Sequence, residues 1–329
     1  MRAIVFDGTG GPQSVHHTDV PRPRPTPDEF LVRVYAAGLN RGDLLQRDGE
    51  YAVPPGQSAI PGVEIAGVIV ECGSQAAGFR TGDRVFGVVE GGGFAEYCRL
   101  DAGMANPIPP GWDMVRAAAT AEAWLTSDET LFTLGGLRAG QRLLVHAAAS
   151  GIGTTAVRQA ASCGAVVYAT VGTPHKAAAV RALGATAVID YKREDFVAAI
   201  AKLTDGSGVD VVLDFIGGAR LASNLKVLND GGCLVVAGLL DGLGAELDLL
   251  TVVERRLQIK GSSLRLRPMA EKRQVNARFR ERWLARLGTG GLHPVVHAAY
   301  SWKEIDAALR EMELNRAIGK IVIRVEDEP

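Results

Sequence analysis

The chain has 329 residues, of which 36 are basic and 37 acidic, so its formal net charge is −1 at pH 7. This length suggests two domains, an apolar fraction of 47% is enough for a large core, and the balanced charge makes a nucleic-acid surface unexpected. The longest apolar run, 233–240, is far shorter than the roughly 20 residues that cross a bilayer, so no membrane helix is expected. The first residues hold an acid and a glycine where a signal peptide needs apolar residues, and we expect a cytoplasmic protein.

The segment up to about residue 122 consists of short β-branched stretches broken by glycine and proline. This pattern predicts a mostly antiparallel β domain. The predicted strands are 3–6, 29–35, 67–72, 84–89 and 95–100. His16 and His17 lie between the first two of these strands, in a predicted turn.

Strands alternate with helices in the next part of the chain. Predicted strands are 142–147, 165–170, 187–190, 209–215, 233–237 and 257–261, and predicted helices are 152–162, 174–183, 194–203 and 219–228. This alternation is typical of an α/β fold with a doubly wound, six-stranded parallel sheet.

The tail contains a long charged helix, predicted at 269–287, and a last strand at 320–325. Because six strands already complete the parallel sheet, we expect the tail to return to the first domain. The predicted organisation is one domain of residues 1–122 completed by 266–329, and a second domain of residues 123–265.

The sequence HAAASGIG at 146–153 follows the first strand of the parallel sheet and begins a helix. Free backbone N–H groups at such a helix start bind the pyrophosphate of a dinucleotide. The sequence departs from the Gly-x-Gly-x-x-Gly pattern, with Ala148 and Ser150 at the first two glycine positions. Its place after the first strand nevertheless predicts a dinucleotide site at Ser150, Gly151, Ile152 and Gly153.

The choice of cofactor follows from the missing acid. Domains that bind NAD carry an Asp or Glu about 20 residues beyond the glycines, for the ribose 2′-hydroxyl. No Asp or Glu occurs between Glu129 and Asp190, whereas Gly172 and Lys176 follow the second strand. A lysine suits the 2′-phosphate, so the sequence predicts NADPH.

No motif predicts a metal site. Cys72, Cys98, Cys163 and Cys233 are too far apart for a Cys-x-x-Cys pair, and we expect them to be free thiols. His146, on the first parallel strand, is predicted to be a packed neutral side chain.

Taken together, the motifs resemble the zinc-free quinone oxidoreductase branch of the medium-chain dehydrogenase/reductase superfamily, over essentially the whole chain. The stretch LLQRDGEYAVPPG at 44–56 is especially similar to the p53-inducible quinone oxidoreductase subgroup. The other stretches that carry the resemblance are AGLNRGD at 37–43, PGVEIAGVI at 61–69, GFRTGDRV at 78–85, EAWLT at 122–126 and NRAIGKIV at 315–322.

The resemblance implies a GroES-like first domain and a Rossmann second domain, with no metal. Zinc-dependent members carry a cysteine at the position of Asn40 and a histidine at the position of Val63, and neither residue here can replace those ligands. Without a Lewis acid the acceptor should be intrinsically electrophilic, such as a quinone or an activated alkene.

The resemblance also implies roles for individual residues. Asn40 and Tyr51 are expected beside the nicotinamide as polar positioning groups, with Tyr51 also a candidate proton donor. Thr126 is expected near the carboxamide, Tyr191 near the adenosine, and Leu239 and Leu264 on the nicotinamide side through their backbone. Ala317 replaces an asparagine and Gln46 a tyrosine found in related sequences, which weakens the analogy at those two positions.

The function expected is NADPH-dependent reduction of a quinone. The alternatives are reduction of an α,β-unsaturated carbonyl or enoyl thioester, and a non-catalytic NADPH- or RNA-binding role. The strand at 257–261 should be the open edge of the parallel sheet, which favours a homodimer formed through this edge.

Overall fold

The computed structural model describes residues 1–289, 292–326 and 328. Gly290, Gly291, Asp327 and Pro329, which belong to the predicted tail segment 266–329, lie outside the described residues. The described chain divides into two compact units: unit 1 comprises 1–125 and 265–329, and unit 2 comprises 126–264.

The strands of the described residues are, in chain order, β1 Arg2–Phe6, β2 Val15–Asp19, β3 Glu29–Leu39, β4 Glu64–Cys72, β5 Arg84–Val88, β6 Tyr97–Asp101, β7 Asn106–Pro107, β8 Arg142–Val145, β9 Val166–Val171, β10 Ala187–Asp190, β11 Val209–Asp214, β12 Leu228–Val236, β13 Gln258–Gly261, β14 Val296–Ser301 and β15 Lys320–Arg324.

The α-helices of the described residues are α1 Arg41–Arg47, α2 Met114–Ala118, α3 Ala121–Asp128, α4 Gly151–Ser162, α5 Pro174–Ala182, α6 Phe196–Leu203, α7 Leu221–Val227, α8 Leu249–Glu254, α9 Met269–Phe279, α10 Ala285–Thr289 and α11 Ile305–Glu313. A π-helical segment, Glu129–Leu134, follows α3, and a second one, Arg280–Leu284, joins α9 to α10.

Unit 1 is built on a mostly antiparallel sheet of seven strands. Its order is β14-β15-β3-β4-β5-β7, with β6 also pairing with β3, and only the β14–β15 pair is parallel. β1 and β2 form a separate hairpin. The tail therefore supplies two strands of this sheet, because β15 pairs with β3 from Ile321 opposite Leu39 to Arg324 opposite Ala36.

Unit 2 is a parallel sheet of six strands in the order β10-β9-β8-β11-β12-β13. Alternate side chains of each strand pack on opposite faces, as strand geometry requires. Leu143 and Val145 of β8 pack with Val157 of α4, whereas Leu144 packs with Phe196 of α6 on the other face. Helices therefore cover both faces, and the predicted GroES-like plus doubly wound α/β fold is confirmed.

The structure corrects the sequence interpretation at two places. His16 and His17 were expected in a turn but lie on β2, opposite Val5 and Ile4 of β1. β2 has no fully buried side chain, so it lacks the apolar alternation that marks a strand. The long helix expected at 269–287 is interrupted by the wide π turn Arg280–Leu284.

In the described part of the chain, no helix is both long enough and apolar enough to cross a membrane.

Candidate functional site

The start of α4 in unit 2 is the predicted phosphate cradle. Ser150 is the N-cap, and its Oγ accepts a hydrogen bond from the N–H of Gly153 at 3.0 Å. A Cβ at Gly153 would lie 2.4 Å from the carbonyl oxygen of Ala147, so only glycine allows this close packing of helix on strand. A bound anion can accept hydrogen bonds from the remaining backbone N–H groups of the first turn.

Gly172 and Tyr191 lie side by side after neighbouring strands. Gly172 follows β9, and a Cβ there would lie 2.8 Å from Oη of Tyr191 and 3.3 Å from Cε of Lys192. Thr173 caps the next helix, its Oγ1 accepting from the N–H of Lys176 at 3.3 Å. The structure thus brings Gly172, Lys176 and Tyr191 to the carboxyl edge of β9 and β10, with a second lysine that sequence reasoning missed.

The other predicted residues of unit 2 lie on separate elements. Thr126 is buried on α3, and its carbonyl oxygen accepts from the Thr130 hydroxyl at 2.8 Å. Leu239 follows β12 and is half-exposed. Leu264 follows β13 and is partly buried. Leu239 and Leu264 therefore follow the carboxyl ends of adjacent strands in the sheet, where ligands of such folds bind.

His146 is buried and serves the packing of unit 2. Its Nε2 lies 2.8 Å from Oδ1 of Asn224, which can only accept, so Nε2 carries the hydrogen. Nδ1 then accepts from the hydroxyl of Thr170 at 2.9 Å. Burial lowers the pKa of His146, which keeps the ring neutral. The prediction of a packed neutral histidine is consistent with these contacts.

Asn40 in unit 1 is the N-cap of α1 and part of a capping box. The backbone N–H of Asn40 donates to Oδ2 of Asp43 at 2.8 Å, and the N–H of Gly62 donates to Oδ1 of Asp43 at 3.2 Å. Burial raises the pKa of Asp43 to about 6, although these two N–H groups and the charges of Lys320 and Arg265 act in the opposite direction. Asp43 thus fixes the backbone from which the Asn40 side chain projects.

The Asn40 side chain is held by a buried ion pair. Nζ of Lys320, on β15, lies 2.6 Å from Oε1 of Glu64, 2.6 Å from Oδ1 of Asn40 and 3.0 Å from the carbonyl oxygen of Leu39. The side chains of Lys320 and Glu64 are 4% and 0% exposed. Lys320, Glu64 and Asn40 are called the Lys320 cluster below.

Both hydrogens of the Asn40 amide are used within unit 1. Nδ2 donates to Oε1 of Glu64 at 3.0 Å and to the carbonyl oxygen of Gly38 at 3.3 Å. Because an ammonium only donates, Oδ1 must face Lys320. What Asn40 has left to offer a ligand is the second lone pair of Oδ1, so it acts as an acceptor.

Tyr51 packs beneath an arginine. The guanidinium carbon of Arg265 lies 4.7 Å from the centroid of the Tyr51 ring, and the ring also lies near Gly42 of α1. Arg265 is further held by the amide oxygens of Gln46 and Gln57, at 3.3 and 3.4 Å. Tyr51 therefore shares its surroundings with a cation.

Sequence reasoning missed the residues that hold Asn40 and Tyr51. Glu64 and Lys320 stand inside stretches that carried the resemblance, PGVEIAGVI and NRAIGKIV, which is the one signal that could have found them. Asp43 likewise stands inside the stretch AGLNRGD, whereas nothing in the sequence marks Arg265. Among the described residues, no group of three or more His, Cys, Asp and Glu side chains could hold a metal ion.

Two family models match the chain, one in each half. The alcohol dehydrogenase GroES-like domain matches residues 26–110, and the zinc-binding dehydrogenase model matches residues 151–280. A GroES-like β domain joined to a six-stranded Rossmann sheet defines a two-domain dehydrogenase/reductase. The chain belongs to the medium-chain dehydrogenase/reductase superfamily.

Several relatives align along nearly the whole chain. The quinone oxidoreductase of Lama guanicoe is 28% identical over 98% of this chain and 97% of its own length. The structure of Escherichia coli quinone oxidoreductase complexed with NADPH is similar with a TM-score of 0.88, at 26% identity, covering 98% of this chain and 100% of that one. The CurK enoyl reductase structure has a TM-score of 0.86 at 26% identity and covers 98% of both chains.

Proposed function

We propose that this protein is an NADPH-dependent quinone oxidoreductase that transfers a hydride to a quinone without a metal ion. The observation that carries the proposal is the full-length similarity to quinone oxidoreductases, which extends over both units. The small-molecule substrate class follows from the same similarity.

The residues of unit 2 fit NADPH. Gly153 has no Cβ in the first turn of α4. Gly172 also lacks a Cβ, so no side chain at this position covers Tyr191 and Lys192. Residues 130–189 contain no carboxylate that would repel a 2′-phosphate. When bound, NADPH supplies the hydride from C4 of its nicotinamide.

Each predicted cofactor-binding residue contacts a particular part of NADPH. Ser150, Gly151, Ile152 and Gly153 bind the pyrophosphate through the start of α4. Gly172 and Lys176 bind the 2′-phosphate, and Tyr191 contacts the adenosine. Thr126 contacts the carboxamide, and Leu239 and Leu264 contact the nicotinamide side through their backbone.

Asn40 and Tyr51 position the reactants. The Lys320 cluster leaves Oδ1 of Asn40 as an acceptor for a hydroxyl or amide N–H. The Tyr51 hydroxyl donates to the acceptor oxygen and passes it a proton. An amide at position 40 and an isopropyl group at Val63 cannot supply the thiolate and imidazole that hold a catalytic zinc, so no step is assigned to a metal.

The first test is the oxidation of NADPH with a panel of quinones, repeated with NADH. Rapid turnover that prefers NADPH is the expected result. Tight NADPH binding with no quinone turnover would contradict the proposed acceptor while leaving the cofactor assignment intact.

The cofactor assignment is tested by reversing a charge. Lys176→Glu should raise KM for NADPH far more than KM for NADH. The difference corresponds to the loss of a charge-assisted contact with the 2′-phosphate, worth about 1 to 3 kcal/mol. Lys202→Glu is the matched control, since Lys202 is an exposed lysine in the last turn of α6. Equal effects of Lys176→Glu on both cofactors would refute the 2′-phosphate role.

A second candidate function is reduction of an activated carbon–carbon double bond, which the similarity to the CurK enoyl reductase favours. Rates with a benzoquinone and with an α,β-unsaturated aldehyde separate the two reactions. Turnover of the aldehyde about tenfold faster than that of the quinone would favour this second function.

We further propose that the protein is a cytoplasmic homodimer, with domains at residues 1–122 plus 266–329 and 123–265. Among the described residues β13 pairs only with β12, so its other edge is open. Apolar side chains before it are exposed, including Leu243 at 87% and Val253 at 72%. Sedimentation of the wild type and Val253→Asp tests the dimer, and a monomeric wild type would refute it.

A further inference from the structure

Arg265, a partly buried arginine of unit 1, differs in its partners from the arginines of this unit that form ion pairs. Arg33 and Arg273 each lie 2.6 Å from a carboxylate oxygen, of Glu326 and Asp101 respectively. Arg265 makes no ion pair with any carboxylate of the described residues, and its side-chain hydrogen bonds go to two neutral amide oxygens. Its positive charge is therefore held in place without being neutralised by direct contact.

The arginine is fixed in orientation. Gln46 is buried, and its Nε2 donates to the carbonyl oxygen of Ala59 at 3.0 Å, which turns Oε1 toward Arg265. The N–H at Nε donates to Gln57, and the guanidinium lies over the Tyr51 ring. Two of the five N–H donors of the guanidinium are used in this way, and three remain for a ligand.

A fixed cation with spare donors beside a phenol hydroxyl is the arrangement that stabilises an oxyanion. Asp43 interacts with Arg265 only through space, because the oxygens of its side chain accept from backbone N–H groups. A guanidinium has N–H donors and no acceptor, so it is suited to bind an anionic oxygen.

We propose that Arg265 is a catalytic residue that binds the anionic oxygen formed on the acceptor when a quinone is reduced. This inference rests on the proposed function and extends it to a residue and a substrate class. A quinone that gains a hydride, with its two electrons, becomes a hydroquinone monoanion while the nicotinamide is oxidised. The N–H groups of Arg265 donate to the anionic oxygen, and a proton delivered through the Tyr51 hydroxyl from solvent completes the hydroquinone.

The test uses 4-nitrophenol, whose phenolate has its own visible absorbance and resembles the anionic product. We expect the pKa of 4-nitrophenol to be about one unit lower when it is bound to the NADP⁺-saturated protein than when it is free in solution. This shift means that the phenolate binds about tenfold more tightly than the neutral phenol. Arg265→Met should abolish the shift and Arg265→Lys should keep most of it. Arg24→Met, at an exposed arginine of unit 1, is the control and should leave the shift unchanged.

Kinetics provide the second measurement. Arg265→Met should lower kcat for quinone reduction about 10²- to 10³-fold, as for removal of an oxyanion donor, with unchanged affinity for NADPH. An equal phenol pKa on wild type and Arg265→Met, with both variants folded by circular dichroism, would overturn the proposal. A wild type that shifts the phenol pKa but reduces no quinone would support the anion site and refute the proposed quinone reduction instead.

Discussion

Replacing Lys320 by methionine should strongly destabilise unit 1. The variant removes three contacts of the ammonium and leaves the Glu64 carboxylate, which is 0% exposed, with N–H donors from Asn40 and Glu122 but no cation. Leaving one partner of a buried pair uncompensated costs about 3 to 5 kcal/mol. Glu64→Gln should cost a similar amount, because it strands the ammonium instead.

The double variant Lys320→Met/Glu64→Gln removes both charges and should cost clearly less than the sum of the two single variants. Tryptophan fluorescence during urea unfolding is a selective assay, since Trp112, Trp124, Trp283 and Trp302 all belong to unit 1. Lys303→Met, at an exposed lysine, is the control. A loss below about 1 kcal/mol for Lys320→Met, or additive single and double variants, would refute the interpretation of a coupled buried pair.

Three further predictions concern single positions. Gly153→Ala should destabilise unit 2 by about 1 to 3 kcal/mol through overpacking, which hydrogen exchange in β8 and α4 would measure. Gly244→Ala is the control and should be neutral, because a Cβ added at Gly244 meets nothing within 4 Å. The Asp43 pKa is raised from 3.8 to about 6, so the native state binds the proton more tightly. The contribution of Asp43 to stability is therefore fully present below pH 3.8 and falls by about 3 kcal/mol as pH rises through 6. Asp43→Asn should remove that pH dependence of tryptophan-detected unfolding, and an unchanged profile would contradict it. Because the pKa of His146 is lowered in the folded protein, unfolding is favoured as pH falls below 6.5. The imidazole NMR signals of His146 should remain those of a neutral ring at pH 6. A charged ring at pH 6 would show that the burial argument is wrong.

Most of the parallel sheet could be predicted from the sequence, because strands covered on both faces are continuous apolar runs bounded by glycine. Short elements with little burial could not. α8, Leu249–Glu254, has no buried residue, and β2 has no fully buried one, so neither shows a periodic apolar pattern. α1 begins at the capping box of Asn40 and Asp43, but the sequence analysis interpreted Asn40 for its chemistry and not as a helix start.

The candidate site was predicted where the signal is local. The start of α4 and the turn at Gly172 are each encoded within a few neighbouring residues. The partners of Asn40 are not: Lys320 is 280 residues away in the chain and meets Asn40 only because β15 pairs with β3. A lysine at the start of a strand looks like a surface residue in the sequence, and its burial becomes evident only from the sheet order.

The two-segment construction of unit 1 sets an order of events during synthesis. Residues 126–264 are complete, and free to fold, while the ribosome has yet to make β14 and β15. Until β15 emerges, the edge of β3 from Ala36 to Leu39 has no neighbour on that side, and Glu64 has no ammonium beside it. Unit 1 of the nascent chain is thus an incomplete sheet with an open edge and a carboxylate that lacks its cation. Chaperone binding and aggregation compete with folding during this interval.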